Sequence, residues 1–331
     1  MAQPSNTSSE VEIGLLRKGV HGISMESYAS ELRDRLPDTT VRVAKTPPQE
    51  RTIVKSADIV SGQNIDESLI EEADTMSVFA CTWAGTEHLP TDELRAAGVA
   101  VTNASGIHAP NIAETVVGHV LVFARRLHEG WKRKRRREWR HFQADELKGS
   151  TVTVVGQGPI GRATVRRLAG FDVETVGVRY TPEKGGPADT VVGFDPEDFH
   201  AALARTDYLV LASPLTETTR GLLDRAAFET LGPDAFLVNV ARGEIVETDA
   251  LVEALRSQLL AGAALDVTDP EPLPTDHPLW TFDNAFITPH NAGHSPEHWP
   301  RLADLVAENV HRLEETGDVE SLDNLVAAPG T

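Results

Sequence analysis

The feature that most constrains this chain is an alternation that runs along nearly its whole length. Short runs rich in β-branched and apolar residues recur, VEIGLL, TVRVAK, ADIVSG, SVFACT and VAVTN in the first third, then TVTVV, DVETVGV, YLVLAS, AFLVNV, AALDV and AFITP from residue 151 onward. Between them lie helical patterns such as ESYASELRDRL, DESLIEEA and TDALVEALRSQ. Strand followed by helix, repeated, is the pattern of parallel α/β sheets. A helical stretch over 111–127, NIAETVVGHVLVFARRL, joins two such blocks, and a second over 296–315 is predicted to pack back on the first block. A chain of 331 residues, 40% hydrophobic, is long enough for two cores.

The second block opens on a specific turn. TVTVVGQGPIG, residues 151–161, reads as a strand, a glycine-rich turn and the start of a helix. Gly156 suits the tight turn, Gly158 lets the backbone approach a pyrophosphate, and Gly161 lets the helix pack close to its strand. Pro159 fits the first helical position, where its missing N–H costs nothing, and Ile160 follows it. Such a turn normally wants an acid about twenty residues later to hold the adenosine ribose of NAD. Here the second strand ends in Arg179, followed by Tyr180 and Thr181. An acid there would repel the 2′-phosphate of NADP, whereas a guanidinium can grip it through two hydrogen bonds and the neighbouring hydroxyls can add more. NADP(H) is therefore the expected cofactor, in preference to NAD(H). A plain strand-end arginine is the competing explanation.

Charge narrows the partners. The formal net charge is -19, and the bases comprise 24 Arg against 7 Lys. Carboxylates are spread along the chain, which suits a medium of molar salt where self-repulsion is screened within about 3 Å. A salt-adapted, cytoplasmic protein is expected. The same charge argues against binding nucleic acid or an anionic membrane. One segment runs the other way: WKRKRRREWR, 131–140, is expected to be a solvated or subunit-facing arm, since no nucleic-acid motif accompanies it. No apolar run is long enough to span a bilayer. The opening MAQPSNTSSE lacks the basic and apolar regions of a secretory signal and is expected to be a frayed tail. A single cysteine, Cys81, excludes internal disulfides and, set mid-strand, is expected to be inert.

Three further segments, in order behind the glycine turn, carry a resemblance. LVNVARGEIVETDAL (237–251), AALDVTDPEPLP (263–274) and ITPHNAG (287–293) resemble the catalytic stretches of the D-isomer-specific 2-hydroxyacid dehydrogenases, and the likeness covers about residues 75–325. The resemblance implies Arg242, Glu271 and His290 as the catalytic residues. It implies that the loop CTWAGTEHLP holds the substrate carboxylate through Ala84, Gly85 and Thr86, with Trp83 either shaping the pocket or packing in the core. By the same resemblance Ser213 and Pro214 flank the cofactor, and Asp266 lies near the nicotinamide with the backbone of Val240 and Ala241. The chemistry needs these residue types in its own right. Reduction of a 2-keto acid requires a cation to hold the carboxylate and polarise the carbonyl, and a proton donor at the carbonyl oxygen. A histidine beside a carboxylate that favours its protonated form meets the second need.

The expected architecture is two Rossmann-like or flavodoxin-like α/β domains with parallel sheets. Residues 1–104 and 295–331 would form the substrate domain and 105–294 the dinucleotide-binding domain, with the cleft between them as the site. The expected activity is NADP(H)-dependent reduction of 2-keto acids to D-2-hydroxy acids, by a chain that resemblance makes a homodimer. The alternatives are a reductase restricted to glyoxylate and hydroxypyruvate, or a non-enzymatic nucleotide-sensing scaffold of the same fold. Formate dehydrogenases share the fold but pair the histidine with glutamine, so Glu271 argues against that activity. No metal is expected: Gly293 and Pro296 disfavour the helix that would bring His290 and His294 to one zinc ion.

Overall fold

The structure is a computed structural model and describes residues 11–330; the expected frayed segment 1–10 lies outside the described residues. Its strands, in chain order, are β1 (Glu12–Leu15), β2 (Thr40–Val43), β3 (Ile59–Gly62), β4 (Val78–Cys81), β5 (Ala100–Thr102), β6 (Thr151–Val155), β7 (Glu174–Val178), β8 (Thr190–Val192), β9 (Tyr208–Leu211), β10 (Phe236–Asn239), β11 (Gly262–Leu265), β12 (Ala285–Ile287) and β13 (Leu325–Ala327). The chain divides into two compact units, one made of the residues up to Ile107 together with those from Ser295 onward, the other of His108–His294.

The first unit carries a six-stranded sheet in the order β13-β5-β4-β3-β1-β2, parallel throughout except for β13, which runs antiparallel to β5. Its inner strands β3 and β4 are buried at every residue, as a sheet covered on both faces requires. On one face Ile13, Leu15, Ile59 and Val78 meet the helices Met25–Arg35 and His298–Thr316, where Tyr28 stacks on Trp299 with ring centres 4.7 Å apart. Truncating that indole would cost about 3–5 kcal/mol. On the other face Val60, Phe79 and Val101 pack on Ile53, Val54 and Leu94.

The second unit has seven parallel strands in the order β12-β11-β10-β9-β6-β7-β8. The order reverses between β6 and β9, and loops at the carboxyl ends of strands flanking such a reversal are where open α/β sheets bind ligands. Helix Ala109–Ala124 packs against helix Pro159–Leu168 on one face of this sheet. The helix read over 111–127 is two helices: Arg126 adopts a left-handed φ of 48°, and the chain restarts as Leu127–Arg135. Apolar spacing continues through the break, so periodicity could not see it. DESLIEEA likewise gives only the helical turn Glu67–Ile70. No helix among the described residues is long and apolar enough to cross a membrane.

The basic block 131–140 begins in helix Leu127–Arg135 and continues as irregular chain. Some of its charges meet carboxylates. Lys132 is paired with Asp283, Arg133 with Glu129, and the Arg133 guanidinium also lies 4.8 Å from the centre of the Phe142 ring. Trp139 is fully exposed and Trp131 more than half exposed.

Candidate functional site

In the second unit, β6 ends in the glycine turn, and sterics show why each glycine is there. Gly156 has φ of 97°, and a side-chain carbon on it would lie 2.6 Å from both the Ala212 carbonyl oxygen and the Ser213 amide. A carbon on Gly161 would overlap the Gly156 carbonyl oxygen. Gly158, in contrast, has open space around it and caps the ten-residue helix that begins at Pro159. Free backbone N–H groups at such a helix start suit a phosphate.

Gly156, Gly158, Arg179, Tyr180, Thr181, Ser213 and Pro214 line one groove of about 350 Å³. No carboxylate is among its lining residues. Gln157, Phe194 and the threonines 216, 218 and 219 complete it, residues that no local sequence motif marks. Gln157 is buried beneath Gly177 and donates to the Val154 carbonyl at 3.2 Å. The threonine loop is fixed by its own hydroxyls, since Thr219 Oγ1 accepts from the Thr216 amide and donates to the Pro214 carbonyl, both at 2.8 Å. The Arg179 amide bonds to Val192 of β8 while its guanidinium donates to the Gly185 carbonyl. The Ser213 hydroxyl is buried without a hydrogen-bond partner among the described residues. An open backbone cradle, a cation at the end of the second strand and an unspent hydroxyl fit a dinucleotide. Pro159, Ile160 and Gly161 shape the helix start behind the groove.

At the other side of the reversal, β11 and β12 carry the second half. His290 follows β12 with φ of 50°, a left-handed conformation that asparagine, aspartate and histidine tolerate better than most side chains. Its Nδ1 lies 3.0 Å from Glu271 Oε2. A carboxylate can only accept, so Nδ1 carries the proton and Nε2 is left to serve a ligand. Glu271 is itself held, because its Oε1 accepts from the Thr268 amide at 3.1 Å. Both side chains remain solvent-accessible, His290 to 55% and Glu271 to 40%.

Asp266 has a role that the sequence did not disclose. It is buried, and its carboxylate accepts from the Thr288 hydroxyl at 2.5 Å and from the amides of Asn291 and Ala292 at 2.9 Å each. Its carbonyl takes the His290 amide at 2.8 Å. Asp266 therefore organises the loop that presents His290. Behind it on helix Ala109–Ala124 is His119, whose basicity burial lowers while the Asp266 charge acts in the opposite sense.

Arg242 leaves β10 in extended backbone and its guanidinium donates to the carbonyl of Ala241 at 2.8 Å. Val240 and Ala241 are buried and their amides are committed, to the Leu211 carbonyl and the Asn239 side chain. Gly243 sits so close to Thr268 that a side-chain carbon would overlap its carbonyl group, which explains the glycine after Arg242.

The 83–86 loop belongs to the first unit, after β4. Asn103 Nδ2 donates to the Ala84 carbonyl at 2.6 Å and the Ala104 amide to that of Trp83 at 3.0 Å, a clamp that the sequence did not reveal. Trp83 is half-buried against the apolar clusters on both faces of its sheet. The Cys81 thiol is buried and pushed up to about 11 by desolvation, in keeping with an inert cysteine.

Comparison with known proteins decides the family. Residues 117–292 match the model of the D-isomer specific 2-hydroxyacid dehydrogenase NAD binding domain. The chain belongs to that family. It is accordingly an oxidoreductase that acts on CH–OH groups with a nicotinamide dinucleotide. It is 36% identical over 253 residues to the glyoxylate reductase of Thermofilum pendens, spanning 74% of each chain. It is 29% identical over 307 residues to the D-3-phosphoglycerate dehydrogenase of Methanocaldococcus jannaschii, covering 91% of this chain and 58% of that longer one. Among solved structures it superposes, with a TM-score of 0.79 and 25% identity, on a D-isomer specific 2-hydroxyacid dehydrogenase from Xanthobacter autotrophicus in complex with NADPH and MES, covering 97% of this chain and 98% of that one.

Proposed function

We propose that this family member is an NADP(H)-dependent D-2-hydroxyacid dehydrogenase that reduces 2-keto acids to D-2-hydroxy acids. The observation that carries the reading is the His290–Glu271 pair at 3.0 Å, which fixes the tautomer of the imidazole and leaves Nε2 for the substrate. A nicotinamide dinucleotide whose phosphates are held by the groove of Gly156, Gly158 and Arg179 would supply the hydride. His290 gives a proton from Nε2 to the substrate carbonyl oxygen, and Glu271 steadies the charged imidazole that precedes that transfer. Arg242 holds the carboxylate and polarises the carbonyl. The amides of Ala84, Gly85 and Thr86 are assigned to the carboxylate in the same reading. Arg179, in a groove whose lining has no carboxylate, supports the preference for the 2′-phosphate of NADP(H), with Tyr180 and Thr181 beside it.

The net charge of -19 and the scarcity of lysine support a protein of a salt-rich cytoplasm. The exposed tryptophans of the basic arm support a homodimer joined through it. Lowering KCl from molar to tens of millimolar is then expected to reduce the melting temperature, and a melting temperature that stays flat or rises removes the salt-adapted reading.

The deciding experiment is an assay of 2-keto acids with NADPH and with NADH at high salt. Turnover with kcat/KM higher for NADPH is expected. NADH preference removes the role given to Arg179, and no turnover of any 2-keto acid with either cofactor removes the dehydrogenase reading.

A further inference from the structure

Beside His290 the second unit holds a cavity of about 530 Å³ that shares no lining residue with the groove of Arg179. We propose that it receives the side chain of the 2-keto acid, and that it selects an uncharged, apolar side chain of several carbons. The inference rests on the reading of His290 and Glu271 given above and deepens it.

Location is the first reason. His290 and Glu271 themselves line the cavity, so whatever fills it lies against the group that delivers the proton. The character of the remaining wall is the second. Pro272, Leu273, Trp280, Ile287 and Pro289 supply apolar surface. Trp280 satisfies its indole N–H on the Pro274 carbonyl at 2.9 Å, which leaves the ring to act as hydrocarbon, yet about half of the residue is uncovered. Large exposed apolar surface beside a reacting group is a binding surface awaiting its ligand.

Charge is the third reason. No lysine or arginine lines the cavity, and its two ionisable acids, Asp266 and Glu271, would repel an anionic substituent. A phosphorylated side chain therefore meets no cation there other than His290, whose Nε2 is committed to the substrate carbonyl oxygen. Glyoxylate, with hydrogen in place of a side chain, would leave the apolar wall wet. Each methylene that the wall removes from water should raise kcat/KM by roughly fourfold, the ordinary hydrophobic increment.

The test is steady-state kinetics with glyoxylate, pyruvate, 4-methyl-2-oxopentanoate, phenylpyruvate and 3-phosphohydroxypyruvate, with whichever of NADPH and NADH supports turnover. From glyoxylate to 4-methyl-2-oxopentanoate and phenylpyruvate, kcat/KM should rise at least tenfold, with 3-phosphohydroxypyruvate poor. Trp280→Ala should lower kcat/KM at least tenfold for the two large substrates and leave glyoxylate within about threefold, and Trp280→Phe should restore most of the loss. Cofactor affinity, measured by NADPH fluorescence, should be unchanged in both variants, which separates a lost contact from a damaged fold. Glyoxylate or 3-phosphohydroxypyruvate as the best substrate, or an equal loss on every substrate in Trp280→Ala, overturns the proposal while leaving the dehydrogenase standing. No turnover of any of the five overturns the dehydrogenase reading and the proposal together.

Discussion

The two halves of the site in the second unit are held in different ways. Around the glycine turn, the backbone does the shaping: Gly156 and Gly161 are where they are because no side chain fits. At the His290 loop, side chains do it, through the Asp266 carboxylate with its three hydrogen bonds and Glu271 with the Thr268 amide. The first kind of construction fails when an atom is added. The second fails when one is removed or a charge is changed.

The largest expected effect is at the second half. His290→Ala should reduce kcat by roughly 10²- to 10⁴-fold, the usual range for an acid-base group, with the NADPH dissociation constant unchanged. If cofactor binding falls in step with rate, the histidine is structural and the division between the halves is lost. Gly161→Ala should do the converse. Its added carbon overlaps the Gly156 carbonyl oxygen, so cofactor affinity should drop by at least about tenfold, the scale of a single lost phosphate hydrogen bond. Wild-type affinity in that variant would show that the turn can yield.

Arg179→Asp sharpens the comparison, because it changes a side chain in the half that the backbone governs. Removing the charge-assisted bonds should weaken NADPH by roughly 10- to 100-fold, whereas NADH, with a ribose diol there, should hold or gain. The ratio of kcat/KM for NADPH over NADH should fall at least tenfold at fixed high salt. Equal damage to both cofactors would make the arginine a strand-end brace for the Gly185 carbonyl it touches.

Glu271→Gln is the mildest change. Glutamine can still accept from Nδ1 but carries no charge, so the imidazole that gives the proton loses an ionic neighbour. Both groups are well exposed, so kcat should fall by only about two- to fivefold, the scale of an exposed ion pair, with the keto-acid KM little changed. An unchanged kcat would detach Glu271 from the proton transfer.

The contrast also explains what could be read from the sequence. Backbone-governed features were legible, since glycine at 156, 158 and 161 after a strand is itself the steric statement. The strands with strong β-branched runs were legible for the same local reason. β8 and β13 were not, because three-residue edge strands such as Thr190–Val192 and Leu325–Ala327 carry too little pattern. Side-chain-governed features were legible only as residue types. Arg242, Glu271 and His290 are proposed as catalytic through resemblance, but nothing local shows that Asp266 spends its carboxylate on residues 288, 291 and 292. Nor could spacing show that Trp280 and Ile287 face one cavity with His290, or that Gln157 sits under Gly177. Such contacts are set by how the turns and strands come together, which no local pattern records.

The first unit is assembled from both ends of the chain, and this bears on how the protein is made. Its early strands leave the ribosome with one face of the sheet still waiting for Trp299, Leu302, Val306 and Val310, and with β5 waiting for β13. All of the second unit must be translated first. At about 5–20 residues per second, that interval lasts roughly 10 to 40 seconds. The continuous second unit can complete its own core in that time, while Ile13, Leu15, Tyr28 and Leu32 stay available to chaperones and to the same segments of neighbouring nascent chains.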